Sequence, residues 1–260
     1  MELKPTKFRY PIKGHPLSKG FIGYWLMNEG SGTTVADLSG NQNQGTVIGP
    51  TWTAGKYGPT LLFAAASNNR VGFTNEIIGA GNCSIVALIN PASIGETTGR
   101  ILDNGKTIFF CAATNSLAFT SNGATTLAYS ANDAVPYGVW SHVVVTRKAL
   151  ASSSEVNFYV KGVLSGTANQ NSGLPAAGTV GLKIGTNSAL NRDYDGKIEF
   201  VYIYNRCLTV SEVVQLYCDP FVMFKREPIE LWAAACSGGA HPGLSIPIAM
   251  HHYKQLRGAA

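Results

Sequence analysis

The sequence predicts an all-β fold, two antiparallel sheets packed as a sandwich, with one short helix near the end of the domain. Three observations carry this. Short runs rich in Val, Ile, Phe and Tyr recur at close, regular spacing between clusters of Gly, Asn and Ser. The 29 glycines suit a chain with many tight turns. After Thr209, a helix start signal is followed by an apolar face at helical spacing.

Taken in order, residues 1–19 place Pro5, Pro11 and Pro16 among basic residues without any period, which predicts an extended arm. Residues 21–27 form an apolar and aromatic run read as a buried strand. The turn formers Asn28, Gly30, Gly32, Asp37, Ser39, Gly40, Asn41, Asn43 and Gly45 then specify a tight loop, and a strand follows at 46–48. Further strands are expected at 61–63, 71–73 and 83–91, the last buried on both faces. Short strands at 100–102, 107–111, 116–119 and 126–129 keep the rhythm of a sandwich. Residues 140–147, 156–162, 182–185 and 194–206 complete the set. Thr209-Val210-Ser211-Glu212 is a capping box, with Val213, Val214, Leu216 and Tyr217 as the apolar face of the helix. Asp219-Pro220 ends it. Residues 229–235 read as a strand or a helical turn. The apolar, Gly- and Pro-containing remainder has no period and is expected to pack on something else.

Several of these stretches carry a resemblance. Gly20, Tyr24-Trp25, Glu29-Gly30-Ser31-Gly32 and Asp37-Leu38-Ser39-Gly40-Asn41 resemble the opening strand and loop of laminin-G-like, concanavalin A-type lectin domains. Trp52, Gly55-Lys56, Gly58, Leu61 and Phe63 are similar to that family's next segment, with Ala64-Ala65 where Asp-Gly is usual. Trp140-Ser141-His142-Val143-Val144-Val145-Thr146 matches a further strand. In the hairpin after it, Lys161 stands where the family usually has Asp. Asp195-Gly196-Lys197-Ile198 through Ile203-Tyr204-Asn205-Arg206 matches the closing strand. The resemblance covers residues 20–218 and implies a concanavalin A-like, two-sheet antiparallel jelly roll, flanked by a basic arm (1–19) and a docking tail (219–260). It does not choose a function, because the fold hosts lectins, enzymes and adhesion modules.

Composition narrows the choice. Hydrophobic residues make up 45% of the 260, enough for a sizeable core, and charged residues only 13%. The net charge of +5 belongs to the ends, since residues 21–218 hold equal numbers of basic and acidic side chains. A nucleic-acid surface on the domain therefore has little support. No apolar stretch approaches the ~20 residues needed to cross a bilayer, and the first residues lack the apolar core of a secretory signal. For a fold that mostly works outside cells, this favours release by lysis, as for a bacteriophage virion protein. The five cysteines show no metal spacing, so buried free thiols are expected, with one disulfide such as Cys207–Cys218 left open.

Catalytic patterns are missing. Glucanases of this fold carry carboxylates as Glu-x-Asp-x-x-Glu on one strand, and no such triplet occurs; the nearest cluster is Asp193, Asp195 and Glu199. His142 lies inside an apolar strand and reads as a buried histidine, and His251-His252 sit in the tail. The chain is expected to be no enzyme. Calcium is the ion the resemblance implies, with Asp37 and then Asp195 as ligands; alternatively Asp37 and Asn41 tie their own turn. Glycan binding would use exposed aromatic platforms, for which Trp52, Tyr57 and Tyr194 are the candidates, while Trp25 and Trp140 read as core. Two functions follow as expectations. One is a structural or adhesion protein of a virion, a capsid decoration or tail-associated component, docked on neighbouring subunits in an assembly through both arms. The other is a carbohydrate-binding module for surface glycans.

Overall fold

The computed structural model describes residues 3–5, 9–123, 127–170 and 175–225. In chain order the strands are β1 (Phe21–Trp25), β2 (Thr34–Val35), β3 (Gly45–Ile48), β4 (Thr51–Ala54), β5 (Pro59–Phe63), β6 (Arg70–Gly72), β7 (Cys83–Pro91) and β8 (Arg100–Asp103). They continue with β9 (Ile108–Ala112), β10 (Ser116–Thr120), β11 (Ala128–Tyr129), β12 (Ser141–Ala149), β13 (Ser154–Val160), β14 (Val163–Gln170), β15 (Lys183–Ile184) and β16 (Gly196–Tyr204); the helix α1 is Val210–Cys218. One sheet runs β14-β13-β12-β7-β16-β5-β4, with β1 also paired to β16; the other runs β11-β10-β9-β8-β15-β6-β3-β2. All pairings are antiparallel. The predicted sandwich is present, and α1 starts at the predicted box, with Thr209 and Glu212 capping each other.

Three short or exposed strands escaped the sequence pattern. β2 and β4 are brief, and β14 is a sheet edge whose Val163 and Leu164 are exposed, so its residues do not alternate as a half-buried strand should. The inter-sheet core gathers Trp25, Phe63, Ile85, Phe109, Phe119, Val143, Phe158 and Ile203. Gly23 makes room for Trp25, because a Cβ there would lie 2.1 Å from the indole ring.

The first sheet is also covered on its outer face. Tyr24, Tyr202 and Phe200 stack in a row, with centroids 4.1 and 4.6 Å apart, under α1 and the turn at Val222–Phe224. Such rows explain why β7, β12 and β16 are apolar on both faces.

Here the predicted domain limits need correction. The described residues before Gly20 and after Cys218 belong to the same compact unit as the sandwich. Ile12 N–H donates to Met223 O (2.9 Å), Tyr204 Oη to Leu17 O (3.1 Å) and Arg206 Nε to Lys19 O (2.9 Å). Leu17, Phe221, Met223 and Phe224 are buried in the outer cluster. Both arms begin by packing on their own domain, because the aromatic outer face of β16 needs a cover. The tail residues after Lys225, including His251 and His252, lie outside the described residues. Among the described cysteines none is disulfide-bonded: Cys83 and Cys111 are buried, Cys207 is partly buried and Cys218 exposed. No described helix is long and apolar enough to cross a membrane.

Candidate functional site

The residues singled out by sequence do not converge. Tyr194 is only 1% exposed, edge-on to Phe63 at 6.1 Å in the inter-sheet core. This corrects its assignment as a glycan platform: its backbone N–H is fixed to Gly185 O (2.8 Å) just before β16, which turns the ring inward. Trp52 is half-buried on β4, its indole Nε1 donating to Gly32 O (2.9 Å) beside an open depression with Gly30 and Pro59. Tyr57, on the turn after β4, packs edge-on against Phe221 (5.4 Å) and lines a different pocket.

Asp37 is buried and saturated. Oδ1 accepts from Tyr24 N (3.0 Å) and Ser39 N (2.9 Å), and Oδ2 from Ser39 Oγ (2.8 Å) and Asn43 N (2.9 Å). Asp195 Oδ2 accepts from Ser93 Oγ (2.7 Å). Tyr24 pairs with Tyr202, seven residues up β16 from Asp195, which separates the two carboxylates by roughly 20 Å of strand. They do not fit a shared calcium site, and no cluster of three or more His, Cys, Asp or Glu among the described residues could hold a metal. The loop uses Asp37 to organise backbone N–H groups. Asp37→Ala should therefore cost about 2 kcal/mol by orphaning buried donors, and melting curves in calcium and in a chelator should show the same loss.

Of the carboxylates nearest to a catalytic pattern, Asp193 accepts from Ser67 N, Asn68 N and Thr186 Oγ1 and is fully buried. Glu199 is also buried, accepting from Lys56 N (2.7 Å) and Tyr57 N (2.6 Å). Both serve the fold.

A better-formed site lies on the outer face of the second sheet, over β8–β11. Residues alternate across a strand, so Phe109 and Cys111 point into the sandwich while Ile108, Phe110 and Ala112 point out. Register places Phe110 between Arg100 and Ala118, and Ala118 opposite Tyr129. The result is an apolar floor where a solvent-facing sheet normally carries polar groups. It forms an open groove of about 370 Å³. Arg100 lies over Phe110 with its guanidinium carbon 4.3 Å from the ring centre. Arg100 Nη1 and Arg192 Nη1 both donate to Thr98 Oγ1, at 3.2 and 3.3 Å, so two cations meet at one end. Asp103 Oδ2 lies 3.6 Å from Arg100 Nε but is itself buried and does not line the groove. Burial pulls the Arg100 pKa down, Asp103 opposes this, and Arg192 adds to it. Burial likewise raises Asp103, against the Gly105 N–H, Arg100 and Lys183. Thr114, Ser116, Asn132 and Tyr129, the last half exposed, complete the rim. Sequence reading missed this groove. The available signal is the unbroken apolar run 108–112, which leaves a strand apolar on both faces.

Residues 65–214 match the sequence pattern of the concanavalin A-like lectin/glucanases superfamily. The chain belongs to this superfamily. No curated protein matches it by sequence. Solved structures confirm the concanavalin A-like fold at low identity. Domain 4 of an extracellular arabinanase from Geobacillus stearothermophilus, in complex with arabinotriose, aligns with a TM-score of 0.59 and 15% identity over 76% of this chain and 98% of that one. The binding domain of Paraclostridial Mosquitocidal Protein 1 aligns at 0.62 and 16% over 77% of this chain and 52% of that one. Trypanosoma rangeli sialidase aligns at 0.58 and 16% over 78% and 33%. This chain thus spans about half of the mosquitocidal binding domain and a third of the sialidase.

Proposed function

We propose that this protein is a non-catalytic glycan-binding module whose ligand lies in the groove over β8–β11. The observation that carries the reading is the outward apolar floor of Ile108, Phe110 and Tyr129 set beside the Arg100–Arg192 pair and a hydroxyl and amide rim. A sugar ring offers an apolar C–H face and a fringe of hydroxyls, and this surface is complementary to both. The guanidinium groups supply directed donors, and Phe110 and Thr98 hold them in place before any ligand arrives. Among the described residues no carboxylate lines the groove, which supports binding without hydrolysis. Fold-level analogy points the same way, since the arabinanase domain was solved with an oligosaccharide.

The setting proposed is adhesion at a virion or extracellular surface, where such a groove meets its ligands. Contacts with neighbouring subunits would use residues 1–19 and 219–260, where Leu3 and Tyr10 remain exposed although other described arm residues pack on the domain itself.

A glycan array followed by calorimetry on the best ligand tests the proposal. Tyr129→Ala and Arg192→Ala should each weaken binding by about tenfold or more with unchanged melting temperature, and calcium should make no difference. No glycan bound, or variants that bind as the wild type does, would overturn it.

A further inference from the structure

On the opposite side of the molecule, a second pocket of about 190 Å³ opens on the outer face of the first sheet. His142 on β12 lies at its base, 4% exposed and paired across the strands with Leu88. Among the described residues neither His142 Nδ1 nor Nε2 has a hydrogen-bond partner. Buried polar atoms are nearly always satisfied, so a ring with two open nitrogens against a cavity points to something that enters it. Aromatic side chains wall the pocket. Tyr217 of α1 has its ring centre 6.0 Å from that of His142, and Tyr57 and Trp140 stand on the other sides.

The charge around the pocket has one sign. Lys56 and Lys161, both exposed, line it, and among the described residues no carboxylate does. Glu199, the nearest acid to the Lys56 backbone, is buried and matched by Lys4. Lys161 sits at φ 51°, a left-handed conformation that suits Asn or Gly better than Lys. Its backbone N–H donates to His142 O (2.8 Å), which ties this residue to the pocket base.

We propose that this pocket is a second binding site, for a small carboxylate. The charged end lies between Lys56 and Lys161, the flat body among Trp140, Tyr57 and Tyr217, and His142 completes the contacts through a ring nitrogen. Burial, then the nearby Lys56, pulls the His142 pKa down to about 3, so the ring acts as a neutral donor and acceptor while the lysines supply the charge. The site shares no residue with the β8–β11 groove and stands or falls independently of it.

Benzoate serves as the probe, with benzyl alcohol as its uncharged counterpart, followed by calorimetry and by the NMR signals of the His142 ring in the full-length protein. Benzoate should bind saturably and shift the His142 signals, with benzyl alcohol weaker by roughly tenfold. Lys161→Asn should weaken benzoate by roughly tenfold while folding stability holds or rises, since Asn accepts this backbone conformation. Arg192→Ala, in the other groove, should leave benzoate binding unchanged. The proposal is overturned if benzoate does not saturate, if benzyl alcohol binds equally well, if Lys161→Asn has no effect, or if Arg192→Ala removes the binding.

Discussion

The substitution Glu199→Gln is expected to lower folding stability by about 3 kcal/mol, because it leaves a buried ammonium group without its counter-charge. Lys4 reaches in from the N-terminal arm, its side chain 3% exposed, and lies 3.7 Å from Glu199 Oε1. Lys4 Nζ donates to the carbonyls of Met27 (3.3 Å), Pro59 and Glu199 (2.9 Å), so the arm is plugged into the sheet beneath β5 and β16. The same carboxylate accepts from two backbone N–H groups of the β4–β5 turn, and a Cβ on Gly55 would lie 2.8 Å from it. Gln can accept with only one of its two terminal atoms, so one N–H is also orphaned. Chemical denaturation checks the figure, and the double variant Lys4→Met/Glu199→Gln should recover about half of the loss or more.

This pair also gives a pH dependence. Burial outweighs the attraction of Glu199 and Glu29 and lowers the Lys4 pKa from 10.5 to about 8. The unfolded chain then binds more protons than the folded one between those values. Stability from this group accordingly rises as pH increases through that window and is lost as pH falls through about 8. The full span corresponds to no more than about 3 kcal/mol. Above pH ~10 the buried hydroxyls of Tyr24, Tyr194 and Tyr202, raised by burial, work in the opposite direction. Denaturation from pH 7.5 to 9.5 (about the accessible part of the window) should show the rise in the wild type and not in Lys4→Met.

Arg147→Met comes second, with an expected loss of about 3 kcal/mol. Arg147 sits near the end of β12 and is fully buried. Nε donates to Gly81 O (3.0 Å), Nη1 to Thr107 Oγ1 (2.9 Å) and Nη2 to Gly79 O and Gly81 O. The guanidinium fork therefore fastens the exposed loop before β7 to the end of β12, and its removal leaves a buried stem and the Thr107 hydroxyl without this partner. Met fills the stem but offers no donors. Lys should rescue little, because a single ammonium cannot span the same acceptors. Thermal melts of both variants, with hydrogen exchange at residues 79–82, measure the effect and its location.

Much of the fold was legible in the sequence because its signals are local. The alternation in β13, the Thr209–Glu212 box and the turn chemistry around Asp37 can each be read within a few residues. What joins distant parts of the chain was not. Lys4 and Glu199 are 195 positions apart, so nothing in a Pro-containing basic arm announced that its lysine is buried. Tyr194 was misjudged for a related reason. A tyrosine beside Asp and Gly looks like a loop residue, and only its bond to Gly185 shows that it turns into the core. The groove over β8–β11 stayed hidden because a strand apolar on both faces has the same sequence whether its second face meets another layer, as in β7, or a ligand. Among the described residues no helix or arm lies over Phe110, and that difference is tertiary.

Ligand recognition on the outer face of β8–β11 is the proposal on which the functional reading rests. The measurement that tests it most directly is backbone amide NMR during titration with the best glycan from the array. The perturbed amides should gather at Thr98, Arg100, Phe110, Ser116 and Tyr129, and Arg192→Ala should erase the perturbations. Perturbations centred instead on Trp52 and Gly30, with the β8–β11 amides unmoved, would contradict it.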